Sequence, residues 1–261
     1  LKYNKLLGQH FIYDEDLLKK IVNTAGNITN YNVLEIGGGI GTLTRTILES
    51  KPISLTTIEK DIRFKDQHDN LKKNYDNYQY ITDDVFNYKI HDIIPKPAII
   101  IANLPYNISS VLLLKLLEQI NHFEFLVLMF QKEVAQRITA KPRTKSYGTL
   151  SVLTQILCDV NYEFEVSPES FVPQPKVQSA VVKITPYKEQ KYEFNDLSLK
   201  EILKIGFSQR RKMIKSSLWT IFKNEQEMQR IFKICDINET SRLEELNIAK
   251  MAELSLLIHI R

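Results

Sequence analysis

Short apolar runs, separated by segments of helical period, dominate the first two thirds of the chain. They are Asn32-Val33-Leu34-Glu35-Ile36, residues 53–58, a run ending at Tyr80 and Ile81, Ala98-Ile99-Ile100-Ile101-Ala102, and residues 125–130. Runs that are apolar throughout, rather than alternating, read as strands covered on both faces. Between them, residues 14–23 put Leu17, Leu18, Ile21 and Val22 on one helical face, 42–48 and 111–117 read as helical, and 62–73 as a polar helix. Strand and helix in alternation predict a doubly wound α/β domain around a parallel sheet.

The texture changes between 161 and 185. Pro168, Pro173 and Pro175 fall in a loop, and a strand follows over 179–184. After Pro186 a polar stretch, 187–196, reads as a linker. Residues 197–207, 210–222, 226–232 and 242–258 then repeat with helical period. The chain is therefore divided into a catalytic-size α/β domain over 1–186 and a small all-helical domain over 187–261, with the boundary set to within about four residues.

Composition narrows the class. The 261 residues suit one large domain, or one domain plus a small one. With 43% hydrophobic and 25% charged residues, the chain is neither disordered nor collagen-like. A net charge of +4 is compatible with a nucleic-acid partner without requiring one. Cys158 and Cys235 form neither a disulfide framework nor a zinc pattern, which points to a reducing, cytoplasmic setting. Apolar runs such as 111–114 and 125–130 are too short to span a bilayer, and residues 1–5 read as a trimmed start rather than a signal segment. His68, His91 and His122 lack metal-ligand spacing and read as surface residues, so no metal is expected.

The first strand runs into Glu35-Ile36-Gly37-Gly38-Gly39-Ile40-Gly41 and then a helix. Glycines allow a sharp turn and a close ligand approach. The spacing is G-x-G-x-G, and Thr42 stands where a dinucleotide fingerprint needs its third glycine. The loop thus suits an uncharged chain or amino acid better than a pyrophosphate, although a tight turn without ligand gives the same pattern. Glu59 closes the second strand, where a carboxylate can accept from both hydroxyls of a ribose. Asp83-Asp84 closes the third, where one can accept from an adenine amino group. Each acid alone could be a solvated loop residue; at successive strand ends they converge on one crevice.

The fourth strand ends in Asn103-Leu104-Pro105-Tyr106. Asn-x-Pro at a strand end is ordinarily a turn. The chemical reading is an exocyclic adenine amine, a poor nucleophile because its lone pair is delocalised into the ring. Hydrogen bonds from its N–H groups to the Asn103 side-chain oxygen and the Leu104 carbonyl pull the nitrogen toward sp³. Pro105 fixes the carbonyl, and Tyr106 stacks on the base.

These motifs occur in order with Leu7-Gly8-Gln9-His10-Phe11, Asn107-Ile108-Ser109, Gln131-Lys132-Glu133-Val134, Ser146-Tyr147-Gly148 and Phe171-Val172-Pro173-Gln174-Pro175-Lys176-Val177. Together they resemble the ribosomal RNA adenine-N6 dimethyltransferases, most closely the small-subunit branch linked to kasugamycin sensitivity. The resemblance implies a Rossmann-like methyltransferase domain, S-adenosylmethionine as methyl donor and no metal. It implies as acceptors two adjacent adenosines in a hairpin near the 3′ end of 16S rRNA. The partner it implies is the small-subunit precursor, met by a monomer away from any membrane. It suggests His10 and Ile12 over the donor, Gly37 and Gly39 beside its methionine part, Glu59 on its ribose, Asp84 on its adenine and Asn103 at the methyl. Phe171 is suggested to sandwich the flipped adenine against Tyr106. Two departures stand out: the family often has Pro at the position of Gly38 and Asn at that of His10.

Two basic clusters are candidates for phosphate contacts: Lys141, Arg143 and Lys145 in a Pro-containing loop, and Arg210, Arg211 and Lys215 on a tail helix. Neither Arg210, Arg211 nor Lys215 has an acidic neighbour within four residues, although a solvated face would look the same. Competing functions are a large-subunit antibiotic-resistance methyltransferase, a DNA adenine methylase, and a non-catalytic RNA-binding assembly or transcription factor. Leu104 and the 171–177 segment favour the small-subunit enzyme. Intact Asn103, Tyr106, Glu59 and Asp84 argue against a non-catalytic role.

Overall fold

The computed structural model describes residues 9–258. Residues 1–5 and the Leu7-Gly8 part of the first motif lie outside the described residues. The chain forms two compact units. One holds the described residues up to 135 together with 159–186, and the other holds 136–158 together with the described residues from 187 on. The single cut after 186 expected from the sequence therefore needs correction, because 136–158 belongs with the tail. The reason is packing: Ala140, Tyr147, Val152 and Ile156 are buried in the same core as Leu199, Leu203 and Met251.

In the first unit, the order is β1 (Phe11–Ile12), α1 (Glu15–Thr24), β2 (Asn32–Ile36), α2 (Thr42–Glu49), β3 (Ser54–Glu59), α3 (Lys65–Asn74), β4 (Tyr78–Thr82), β5 (Ala98–Asn103), α4 (Ser109–Leu117) and β6 (Phe123–Gln131). Helix α5 (Lys132–Ile138) follows, the chain passes through α6 (Thr149–Gln155) of the second unit, and then come β7 (Cys158–Val166), β8 (Phe171–Val172) and β9 (Ser179–Pro186). The main sheet has the order β4-β3-β2-β5-β6-β9-β7. Its first five strands are parallel, in register at Glu35↔Thr57, Asn32↔Ala98 and Asn103↔Met129. Strand β9 pairs antiparallel with β6, so the sheet is mixed rather than wholly parallel. The doubly wound α/β expectation holds.

This order places the topological switch between β2 and β5. The chain leaves β2 toward β3 and β5 toward β6, in opposite directions. Ligands of such sheets sit in the crevice this creates at the carboxyl ends of the strands. Buried residues on the strands and α1–α2 (Ile21, Val22, Val33, Ile47, Ile99 and Val127 among them) fix those strand ends. Strands β1 and β7 have no counterpart in the sequence reading, and β8 lies in its Pro-containing loop. Between its buried ends strand β7 alternates exposed and half-buried positions, a weaker signal than a continuous apolar run. The two-residue strands β1 and β8 pair antiparallel, Phe11↔Val172 and Ile12↔Phe171.

In the second unit α7 (Asp196–Ser208), α8 (Ile214–Ser217), α9 (Glu225–Ile234) and α10 (Ile248–Leu257) follow α6. The helices expected over 210–222 and 242–258 are broken. The N–H groups of Ile214 and Lys215 bond to the carbonyls of Ser241 and Glu239, which ties the segment to a distant loop. Asn247 accepts from the N–H of Lys250 and starts α10 afresh after a short 3₁₀ turn over Leu243–Glu245. Among the described residues, no helix is long and apolar enough to cross a membrane.

Candidate active site

A cleft in the first unit is lined by the ends of β2, β3 and β5 and the loop after β4, together with the segment around β1. Gly37 continues β2, its N–H donating to the carbonyl of Ile58 at 2.8 Å. At Gly39 φ is +51° and a Cβ would stand 2.8 Å from the Phe11 ring, so any side chain here meets backbone strain and must push that ring aside. The Gly39 N–H donates to Glu59 Oε2 at 2.9 Å, and the Asp61 N–H donates to Oε1 at 2.7 Å. Both carboxylate oxygens of Glu59 are thereby aimed, and each keeps a lone pair for a ligand. Burial pushes the Glu59 carboxyl up from its ordinary range.

Asp84 follows β4 rather than ending it, and caps the 3₁₀ turn Val85–Asn87 by accepting from the Phe86 N–H at 3.0 Å. Lys60 Nζ donates to its other oxygen at 2.8 Å and holds its carboxyl below the usual range. Asp83 is engaged locally by Tyr88, Asn87 and the Asp84 N–H.

Asn103 is the last residue of β5, and its Nδ2 donates to the His10 carbonyl at 3.1 Å. That bond commits the amide's donor end and leaves Oδ1 as the acceptor. Leu104 is buried and Pro105 packs 3.5 Å from where a Cβ of Gly37 would stand. The Tyr106 hydroxyl hydrogen-bonds Ser179 Oγ at the start of β9. The His10 ring lies on Tyr106 and turns its edge to Phe171, while its Nδ1 donates to the Pro173 carbonyl at 2.7 Å.

His10, Ile12, Gly37, Gly39, Glu59, Asp84, Asn103, Leu104, Pro105 and Tyr106 all line this cleft. Phe171 does not; it belongs to β8, its side chain is buried in the core of the first unit, and it meets the site through His10. Two buried residues, Glu35 and His68, do not stand out as site residues in the sequence. Glu35 is fully buried, accepts from Thr44 Oγ1 and Thr57 Oγ1 at 2.6 and 2.8 Å, and burial pushes its carboxyl up to about 7. Its Oε1 has no partner among the described residues. The glutamate inside an otherwise apolar strand was the available signal. His68, expected at the surface, is wholly buried because α3 turns its one apolar face, His68 and Leu71, inward. Among the described residues, no group of three His, Cys, Asp or Glu could hold a metal ion.

The basic residues divide in the second unit. Lys141, Arg143 and Lys145 are exposed, with Arg143 Nη2 3.9 Å from Glu245. Arg210, Arg211 and Lys215 do not share a helix: Arg210 and Arg211 lie in the turn between α7 and α8, and only Lys215 is helical. Arg210 is paired with Glu244 at 2.8 Å and donates to the Tyr147 carbonyl, and Lys215 pairs with Glu239 at 3.1 Å. These partners are distant in sequence, beyond the reach of a four-residue window. Arg211 is exposed with no ion pair among the described residues.

The family model for ribosomal RNA adenine dimethylase matches residues 1–259. The chain is 45% identical over 255 residues to the ribosomal RNA small subunit methyltransferase A of Neorickettsia sennetsu, covering 97% of each. It is 44% identical over 260 residues to the protein of the same name from Anaplasma marginale, covering 100% of this chain and 95% of the other. A crystal structure of a dimethyladenosine transferase from Plasmodium falciparum is similar at TM-score 0.83 and 28% identity, over 95% of this chain and 96% of that one. The 23S rRNA methyltransferase ErmE, at 21% identity and TM-score 0.71 over 95% of this chain and 99% of its own, shares the fold. The chain belongs to the ribosomal RNA adenine dimethylase family.

Proposed function

We propose that the chain uses S-adenosylmethionine to dimethylate N6 of two adjacent adenosines in a hairpin near the 3′ end of 16S rRNA. The substrate is the small-subunit precursor, met in the cytoplasm by a monomer. The names of the small-subunit relatives support the choice of subunit. The observation that carries the chemistry is the Asn103 amide, whose Nδ2 is committed to the His10 carbonyl while Oδ1 stays available beside Leu104.

The residues present fit the donor. Gly39 offers open main chain where any side chain would strike Phe11. Glu59 holds two aimed oxygens for a ribose, and the buried Glu35 lines the same cleft with one oxygen unpartnered among the described residues. Gly37 and Gly39 would receive the methionine part, Asp84 the adenine, and His10 and Ile12 would cover it. When bound, the donor supplies an electrophilic sulfonium methyl group.

Asn103 Oδ1 and the Leu104 carbonyl accept hydrogen bonds from the target amine, localise its lone pair, and stabilise the positive charge that develops on nitrogen. Pro105 holds that carbonyl in place. Tyr106, anchored by Ser179, provides aromatic surface for a base taken out of the stack, and Phe171, buried against His10, adds to it once that imidazole is displaced. No strong general base is required, since the proton can leave after the carbon–nitrogen bond forms. In the helical unit Lys141, Arg143, Lys145 and Arg211 supply phosphate contacts, and Arg210 and Lys215 contribute there as members of ion pairs.

Incorporation of tritiated methyl groups tests this reading. Unmodified small subunits should take up four methyl groups each, two per target adenosine, and large-subunit RNA none. Labelling of large-subunit RNA, or no labelling of either, would contradict it.

A further inference from the structure

Helix α3 is polar over most of its surface, yet it buries an imidazole completely. The ring of His68 stacks flat on Tyr80, with centroids 4.2 Å apart and planes 8° apart. Its Nε2 lies 2.9 Å from the carbonyl oxygen of Gly39 and its Nδ1 2.5 Å from the Tyr78 hydroxyl. A carbonyl can only accept, so Nε2 carries the proton and Nδ1 accepts from Tyr78. Burial pushes the imidazole down to about 4, so it is neutral at physiological pH and this tautomer persists.

Gly39 is thereby held at both ends. Its N–H is fixed by Glu59 on β3 and its carbonyl by His68 on α3, each at 2.9 Å. The neighbouring Gly38 is shaped by the same side chain: a Cβ there would stand 2.8 Å from His68 Cε1 and 2.4 Å from Thr57 Cγ2. A run of three glycines loses much conformational freedom when it orders around a ligand. Fixing one of its carbonyls in advance removes part of that cost.

Resting on the reading of this cleft as the donor site, we infer that His68 is a positioning residue for the methyl donor. It preforms the Gly37–Gly39 loop through the Gly39 carbonyl and touches neither donor nor RNA. Its contribution falls on donor affinity rather than on methyl transfer.

The test is calorimetry with S-adenosylhomocysteine, together with steady-state methylation of small subunits. His68→Phe keeps the stack on Tyr80 but removes the donor to Gly39. It should raise the S-adenosylhomocysteine Kd roughly 5- to 20-fold, the scale of one buried hydrogen bond. The kcat at saturating donor should stay within about twofold. His68→Gln, whose amide N–H can reach the place of Nε2, should recover most of the affinity. An unchanged Kd in folded His68→Phe, an equal loss in both variants, or a loss confined to kcat overturns the inference. If His68→Phe does not fold, histidine ¹⁵N spectra of the wild-type protein decide. Donor binding should slow exchange of the His68 Nε2 proton, and an unaltered rate overturns the inference. Failure of the wild type to bind S-adenosylhomocysteine would overturn the donor-site reading itself, and is read separately from every His68 result.

Discussion

The imidazole of His10 lies on the phenol ring of Tyr106, with ring centroids 5.1 Å apart and planes inclined by 28°. Its edge faces Phe171 at 6.4 Å. The two aromatic side chains proposed to grip the target adenine are therefore bridged by a side chain of the protein itself. A base that stacks on Tyr106 from this side must displace an imidazole, and an aromatic pair contributes about 0.5–1.5 kcal/mol. His10→Ala should lower the KM for small subunits by about 2- to 10-fold at saturating donor. A KM that is unchanged or raised would place the base elsewhere on Tyr106.

Glu59 joins the glycine loop to β3 through Gly39 and Asp61. Glu59→Ala removes the acceptors proposed for the ribose and frees the loop as well. Donor binding should weaken by about 1.5–3 kcal/mol, with affinity for the subunit nearly unchanged. Calorimetric titration with S-adenosylmethionine reads this directly. Wild-type donor affinity in a folded variant would remove Glu59 from the site.

Glu35 gives a pH dependence of known sign. Its folded carboxyl is raised to about 7, above the unfolded value near 4.5, by burial. Between these values the folded state holds a proton that the unfolded state has released, so stability falls as pH rises from about 4.5 to 7. Glu35→Gln keeps an acceptor for Thr44 and Thr57 and cannot ionise. Relative to wild type it should gain up to about 3 kcal/mol on going from pH 4.5 to pH 8. Urea unfolding at the two pH values measures it, and a pH-independent difference would contradict the assignment.

The basic residues of the tail separate by their partners. Arg210→Ala leaves Glu244 and the Tyr147 carbonyl without their donor, so its effect should appear as a fall in Tm of about 2–5 °C. Arg211→Ala should instead leave Tm unchanged and reduce the salt slope of subunit binding by about 0.7–0.9. The reverse pattern would exchange their roles.

The strands β2, β3, β5 and β6 are legible in the sequence because each is buried at most positions on both faces and so reads as a short run of mainly apolar and β-branched residues. The Gly37–Gly41 loop and the Asn103–Tyr106 turn were legible because special backbone needs and special chemistry both leave a residue signature. What depends on contacts far along the chain was not. The β1–β8 pair is two residues long on each side and owes its existence to Ile12 and Phe171 meeting across the fold. The Arg210–Glu244 and Lys215–Glu239 pairs, the burial of His68 beneath the glycine loop and the assignment of 136–158 to the helical unit are of the same kind. No periodicity or local spacing encodes them.

The central claim is that Asn103 activates the adenine amine, and single-turnover methyl transfer with saturating donor and subunit tests it most directly. Asn103 sits at the tip of β5, its amide holding only the His10 carbonyl among the described residues, so Asn103→Ala should fold and bind both substrates nearly normally. Its Oδ1 matters most as the amine nitrogen gains positive charge, so the loss should fall on the transfer step. The rate should drop about 10²–10³-fold, or about 2.7–4 kcal/mol. A transfer rate near that of the wild-type protein would mean that another group activates the amine, and would contradict the mechanism proposed for this site.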